Sequence, residues 1–310
     1  MRIAAIDIGT VTTRLLIASR ELSSATVVEL YREIDITQLG QGVSSTGMLP
    51  EQGITAVLFA LEKYVRAIER FQVEKVYCVA TSALRDAGNA KELVDAAESL
   101  GISIEVISGE EEARLAFCGA SYGLDASEIL LLDIGGGSTE LVLGSIDGDG
   151  RAEVKQLTSL QLGSRRLTDL FMNSDPPSAD EIEAARAHVR EMLLREIKGY
   201  QGEFDQLVAV AGTATTLVAV LGEVDPYDPA KVQGCTVNLG DVDALLSLFL
   251  SKTLEARRQI VGLEPKRADV IIAGTLILEA ALDILDCQQF TVSDRDLLYG
   301  IVLSATNEAL

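Results

Sequence analysis

Two carboxylates separated by three adjacent glycines make the most chemically loaded stretch of the chain, Asp133-Ile134-Gly135-Gly136-Gly137-Ser138-Thr139-Glu140. Apolar runs lead into it (Ile129 to Leu132) and out of it (Leu141 to Leu143), a pattern that predicts strand, tight turn, strand. Adjacent glycines lose more backbone entropy on folding than other residues, so the turn must return something for them. Their use is to bring backbone N–H groups up to a bulky anion with no Cβ in the way. Asp133 and Glu140 then flank that anion. Carboxylates beside a phosphate make sense when a hard cation such as Mg²⁺ sits between them.

An ordinary glycine hairpin is the alternative, and recurrence argues against it. Ile3 to Ile6 leads into Asp7-Ile8-Gly9-Thr10, and Thr12 to Ala18 leaves it, the same apolar strand, Asp-Ile-Gly, hydroxyl residue and apolar strand. A further strand, Leu207 to Ala211, runs into Gly212-Thr213-Ala214-Thr215-Thr216, which opens a helix. Free N–H groups point outward at a helix start, so this is an anion-binding layout, with a plain strand-to-helix connection as the competing reading.

A different kind of signal sits at Ser108-Gly109-Glu110-Glu111-Glu112-Ala113-Arg114-Leu115. Ser108 with Glu111 three residues later fits a capping box, and Glu110 suits the positive end of the helix dipole. Glu112 lies about 100° further around the helix, and neither explanation reaches it. It is the acid that local structure leaves over.

The elements that must position these residues follow from pattern. A strand is predicted over 25–36, a polar loop over 40–50, a helix over 51–71, a strand over 73–80, a helix over 89–100 and a strand over 102–107, completing a βαβ unit. Beyond the central hairpin come a strand at 151–160, a proline-containing linker at 173–178, an amphipathic helix at 180–199, helices from 240 to 285, a short strand at 289–292 and a last helix. At 310 residues with 48% hydrophobic content, two domains are expected. No apolar run reaches the roughly 20 residues of a membrane span. The nearest, 268–285, carries Asp269, Glu279 and Asp283 and reads as a buried helix. The chain enters a strand at once without a leader, and Cys78, Cys118, Cys235 and Cys287 are scattered, so reduced thiols in a cytoplasmic protein are expected.

With 26 basic against 47 acidic residues the formal charge is −21, which argues against general nucleic-acid binding. One histidine, His188, excludes multi-His metal sites and argues against Ser-His-Asp catalysis. It falls in a polar helical stretch and reads as a solvated helix residue.

The order of the two Asp-Ile-Gly turns and the later glycine turn resembles the two phosphate motifs and the adenosine-type motif of the actin–hexokinase–Hsp70 superfamily. Within it the chain resembles the Ppx/GppA phosphatases. The marks are Ala80-Thr81-Ser82-Ala83-Leu84-Arg85-Asp86, the stretch from Ile107 to Leu115 and Asp133 to Glu140, with Ala211-Gly212-Thr213 and Val292-Ser293-Asp294-Arg295 as weaker ones. The resemblance implies an α/β fold of two actin-like (ribonuclease H-like) domains, 1–124 completed by a C-terminal helix 297–310 and 125–296, with a polyanion cleft between them. It puts the catalytic glutamate on Glu112, the metal-associated acids on Asp133 and Glu140, and phosphate contacts on Asp7, Gly9, Thr10, Gly135, Gly136, Gly137, Ser138, Thr139, Gly212 and Thr213. Members often carry Asn where this chain has Val11, and longer members carry a helical extension after the two domains.

Phosphoanhydride cleavage needs an in-line water, charge neutralisation and a positioned base. Arg14 and Arg85, at strand exits beside glycine or hydroxyl turns, are the side chains placed to offset the acidic field, with surface ion pairing as the alternative for each. The expected activity is an exopolyphosphatase assisted by Mg²⁺ or another divalent cation. A guanosine pentaphosphate phosphohydrolase, an ATP-dependent kinase of the superfamily and a non-enzymatic polyphosphate or alarmone sensor are the alternatives. A homodimer is expected, on the motive that 268–285 is apolar nearly all round.

Overall fold

The structure, a computed structural model, describes residues 1–20, 26–124, 128–147, 152–200 and 204–305. The chain divides into two compact units, Met1–Gly119 with the segment from Asp296 onward, and Ala120–Arg295.

The first unit opens with β1 (Arg2–Ile8), β2 (Thr12–Arg20) and β3 (Val27–Ile36). It continues through α1 (Val43–Thr46), α2 (Glu51–Arg70), β4 (Lys75–Ala80), α3 (Ser82–Asp86), α4 (Ala90–Ser99), β5 (Ile104–Val106) and α5 (Gly109–Ser121). β1 is buried from Ile3 to Ile8, as a strand covered on both faces must be, and takes the centre of a sheet ordered β3-β2-β1-β4-β5. β3, with Glu29, Glu33 and Asp35, takes an edge. β1, β2 and β3 pair antiparallel, while β4 and β5 run parallel to β1. Val57, Ala60, Leu61 and Tyr64 of α2 join the core with Ala4, Ile6 and Ile8.

The second unit holds β6 (Glu128–Ile134), β7 (Thr139–Ile146), β8 (Ala152–Leu160), α6 (Ser164–Phe171), α7 (Ala179–Glu196), β9 (Gln206–Val210) and α8 (Ala211–Leu221). It ends with α9 (Pro229–Val232), β10 (Thr236–Asn238), α10 (Leu239–Leu250), α11 (Leu254–Arg257), α12 (Ile271–Leu285) and β11 (Gln289–Val292). α13 (Leu297–Ser304) belongs to the first unit again. The second sheet is ordered β10-β11-β9-β6-β7-β8. Read from β8, its five strands β8-β7-β6-β9-β11 repeat the first sheet, three antiparallel and then parallel neighbours, with β10 added at the edge. The fold is therefore α/β, with two actin-like (ribonuclease H-like) units.

Two local expectations are refined. α12 is buried at every position except Glu279 and Asp283, which pair with Arg186 and Arg190 of α7. Its all-round apolarity is thus covered within the second unit and carries no argument for a dimer. His188 is half-buried against Phe171, ring centroids 5.1 Å apart. The expected ends at Ala25, Arg151 and 306–310 lie outside the described residues. Among those described, no helix is long and apolar enough to cross a membrane.

Candidate active site

The two Asp-Ile-Gly hairpins are built alike. Gly9 N–H donates to the Thr12 carbonyl at 2.9 Å, and Gly135 N–H donates to the Ser138 carbonyl at 3.0 Å. Asp7 lies opposite Arg14 across β1 and β2, and Asp133 lies opposite Glu140 across β6 and β7. Residues opposite each other in an antiparallel pair share a face, with Cβ atoms about 4.5–5.5 Å apart. The first hairpin therefore juxtaposes an acid and a base, and the second juxtaposes two acids.

In the second unit, α6 sets the direction of the glycine turn. Its first residues donate back to the turn, Ser164 N–H to the Gly135 carbonyl at 2.9 Å and Arg165 and Arg166 N–H to that of Gly136 at 2.8 and 3.1 Å. The Arg166 side-chain Nε donates to the Gly137 carbonyl at 2.8 Å. In a trans peptide the C=O and the following N–H point opposite ways. With the carbonyls of Gly135, Gly136 and Gly137 turned to α6, the N–H groups of Gly136, Gly137 and Ser138 point away from it. Three successive N–H groups on one side of a turn form an anion-binding concavity. Gly163 permits the approach, since a Cβ there would lie 2.5 Å from backbone atoms of Gly136 and Gly137.

The hydroxyl of Thr139 donates to the Leu162 carbonyl at 2.5 Å, so this side chain locks the turn to the chain beyond β8. Asp133 and Glu140 are both buried, and Ser159 Oγ donates to Glu140 Oε1 at 2.8 Å. Among the described residues no group of three or more His, Cys, Asp or Glu is placed to hold a metal. What the hairpin does offer is a facing pair of carboxylates, Asp133 and Glu140, and Mg²⁺ takes one or two carboxylates together with waters and substrate phosphate oxygens. Two like carboxylates facing each other repel, and a divalent cation would relieve them.

The third turn differs from its expected form. α8 begins at Ala211, held at φ +66°, a left-handed conformation that costs a non-glycine residue roughly 1–2 kcal/mol. A Cβ on Gly212 would fall 1.9 Å from an Arg267 guanidinium nitrogen, so the guanidinium packs directly over this glycine and would have to shift to admit a side chain there. Thr213 is buried against Gly274 of α12, and Thr215 and Thr216 donate to the carbonyls of Ala211 and Gly212 at 3.1 and 2.6 Å. These hydroxyls brace the helix start. Arg267 carries no local signal that would have singled it out.

In the first unit, Gly40 packs on Thr10, where a Cβ would come within 2.2 Å of the Thr10 methyl. Gly40 N–H donates to the Thr10 carbonyl at 2.8 Å, and Thr37 and Gln38 N–H donate to that of Val11 at 2.9 and 3.0 Å. Position 11 is thus held by its backbone and its side chain is buried, which suits valine. Arg14 is gripped by two acids. Its Nε and Nη2 donate to Asp7 Oδ2 at 3.0 and 2.5 Å, and its Nη1 donates to Asp296 Oδ2. The two carboxylates hold the guanidinium proton far tighter than usual in spite of its burial. Burial pushes the Asp7 carboxyl up against the pull of Arg14. Asp7 Oδ1 is buried with no hydrogen-bond partner among the described residues.

Glu112 stands in the first turn of α5. Ser108 Oγ accepts from Glu111 N–H at 3.1 Å, the expected cap, and leaves Glu112 to a tertiary partner. Arg85 Nη1 donates to Glu112 Oε2 at 2.8 Å and to the Ile107 carbonyl at 3.0 Å. Burial nevertheless pushes the Glu112 carboxyl up to about 7, ahead of the lowering by Arg85, with Asp7 raising it and Arg14 lowering it further. Arg85 Nη2 is buried and lacks a partner among the described residues. The structure thus gathers Asp7, Arg14, Arg85 and Glu112 in one unit and Asp133, Glu140 and the glycine turn in the other. It adds Asp296, which directly follows the weaker mark Val292-Ser293-Asp294-Arg295.

Twofold use of the actin-like fold, with a glycine or hydroxyl turn after the first strand of each unit, places this chain in the class of actin-like phosphate-handling proteins. Within that class it belongs to the Ppx/GppA phosphatase family, whose profile matches residues 16–309. It is 36% identical over 318 residues to exopolyphosphatase 2 of Mycobacterium tuberculosis, covering 98% of each chain. It is 35% identical over 312 residues to a bifunctional 3-dehydroquinate synthase/phosphatase of Fusobacterium nucleatum, covering 97% of this chain and 46% of that longer protein. Among solved structures, the Aquifex aeolicus PPX-GPPA enzyme superposes with a TM-score of 0.81 at 34% identity, over 98% of this chain and 99% of that one. An exopolyphosphatase from Cytophaga hutchinsonii superposes at 0.88 with 27% identity, over 100% and 99%.

Proposed function

We propose that this protein is an exopolyphosphatase, hydrolysing the terminal phosphoanhydride of inorganic polyphosphate. The observation that carries the reading is the row of N–H groups of Gly136, Gly137 and Ser138 turned away from α6 on the hairpin that pairs Asp133 with Glu140. Such a row takes the oxygens of a phosphoryl group without using a positive side chain, which an acidic protein has few of to give. Asp133 and Glu140 would hold Mg²⁺, which supplies charge neutralisation at the transferring phosphoryl when bound. Glu112 orients a water and takes its proton; a carboxyl held near neutrality by burial is suited to that exchange at physiological pH. Arg85 keeps the Glu112 carboxylate in place through its 2.8 Å bond. Exopolyphosphatases among the relatives of similar length support the choice of substrate. No disulfide joins Cys78, Cys118, Cys235 or Cys287, which supports a cytoplasmic location.

The test is phosphate release from long-chain polyphosphate with Mg²⁺, with guanosine pentaphosphate as competing substrate in the same vessel. Higher kcat/KM on polyphosphate is expected. No release from any chain length at any divalent concentration would overturn the proposal, and preference for guanosine pentaphosphate would redirect it.

A further inference from the structure

Arg14 is gripped from two sides by residues far apart in the chain. Asp7 is its neighbour across the hairpin, whereas Asp296 is 282 residues away. The Asp7 and Asp296 side chains are 5% and 8% exposed, so both ion pairs are shielded from solvent competition. A planar guanidinium held by carboxylates on two of its edges cannot turn without breaking one of them.

Asp296 does a second task with its other oxygen. Oδ1 accepts from Leu298 N–H at 3.2 Å and caps α13. α13 in turn is seated on α5, the helix of Glu112, by contacts too close for any side chain. A Cβ on Gly119 of α5 would lie 1.9 Å from the Asp296 carbonyl oxygen, and one on Gly300 of α13 would lie 1.9 Å from the Leu115 carbonyl oxygen. Backbone rests on backbone at two points, which fixes where the Asp296 carboxylate stands relative to the Glu112 helix.

We infer that Asp296 is a positioning residue: it holds the Arg14 guanidinium against Asp7 and, through Arg14, sets the charge that the Glu112 carboxylate experiences. The inference rests on the hydrolase reading above for its functional meaning. The charged groups about Glu112 are Arg85 on α3, Asp7 on β1 and Arg14 on β2, with Asp296 at the start of α13 beyond Arg14, and Glu110, Glu111 and Arg114 on α5 itself. Arg14 eases ionisation of Glu112 and Asp7 opposes it. Asp296 offsets part of the Arg14 charge. Neutralising Asp296 therefore leaves more positive charge at the cluster, and Glu112 should release its proton at lower pH.

The competing reading is that Asp296 only caps α13. Asn and Asp cap equally well, so Asp296→Asn keeps the cap and removes the charge. The experiment follows the Glu side-chain carboxyl ¹³C resonances through pH in the wild type, with Glu112→Gln assigning the Glu112 signal, and does not depend on turnover. In Asp296→Asn the Glu112 midpoint should move down by on the order of half a pH unit to one pH unit, at or below the effect of a charge in direct contact. Arg14→Gln should move it up, and the double variant should return it close to wild type. The acid limb of kcat/KM on polyphosphate should move in the same directions.

An unchanged Glu112 midpoint in Asp296→Asn overturns the inference and leaves Asp296 a cap. If that variant fails to fold, Arg14→Gln and the double variant, in which a neutral pair replaces the ionic one, still decide: a midpoint that does not rise in Arg14→Gln, or that stays raised in the double variant, overturns it equally. Midpoints that move as expected in a wild type inert towards every polyphosphate would support the positioning and refute the exopolyphosphatase reading.

Discussion

Replacing Glu112 by Gln keeps the shape of the side chain and an oxygen for the 2.8 Å bond from Arg85, but removes the capacity to take a proton. General-base catalysis contributes roughly 10²–10⁴-fold, so kcat on polyphosphate should fall by that factor while KM changes little. The pH dependence makes the prediction sharper. With the carboxyl pushed up to about 7, about a tenth of the wild type carries the base form at pH 6 and about nine-tenths at pH 8, so the rate should climb through neutrality. The residual rate of the variant should lack that climb.

Stability supplies a readout independent of turnover. A carboxyl that titrates near 7 folded and near 4.5 unfolded binds more protons in the native state between those values, so native stability falls as pH rises through that window. A window that wide corresponds to about 3 kcal/mol at most. Gln does not titrate, so the stability of the variant relative to wild type should climb from pH 4.5 to 7 and level off above, measured by urea unfolding at each pH. Glu111→Gln should be nearly silent, because Ser108 Oγ accepts from the backbone N–H of residue 111 and not from its side chain. If Glu112→Gln keeps more than about a third of wild-type kcat, far inside the catalytic range, the acid run is only a helix start, and Asp7 and Glu140 become the candidate bases.

Gly163→Ala would drive a methyl to 2.5 Å from the Gly136 and Gly137 backbone, so unit stability should drop by about 1–3 kcal/mol or more and activity should be lost through a displaced turn; a crystal structure with the turn unmoved would refute this. Asp133→Asn should raise the Mg²⁺ concentration for half-maximal activity by at least about tenfold, the size of effect that even partners of metal ligands have; an unchanged metal dependence removes Asp133 from the metal site. Tyr64→Phe deletes the hydroxyl whose one proton is shared between the Thr13 carbonyl at 2.8 Å and Asp35 Oδ2 at 3.0 Å, and thermal unfolding should show a loss of about 1–3 kcal/mol.

What the residues determine by themselves here is local. The turns at Gly9 and Gly135, the strands around them and the cap at Ser108 follow from hydrophobic period and glycine chemistry over stretches of ten residues or fewer, and the structure has each of them. Glu112 stood out for the same reason, since neighbours in the helix explained Glu110 and Glu111 but not it. The partners of the charged groups were not legible. Arg14 and Arg85 read equally as phosphate contacts or as surface pairs, and tertiary structure alone brings Asp296 to the one and Glu112 to the other. The facing direction of the glycine turn is likewise decided by the start of α6, 29 residues further on, which claims the carbonyls and leaves the N–H groups outward. A turn needs only the dihedral freedom of its own residues, whereas an ion pair needs two groups brought together and desolvated. That depends on which helix packs on which strand, here down to the backbone contacts at Gly119 and Gly300 that no local pattern marks.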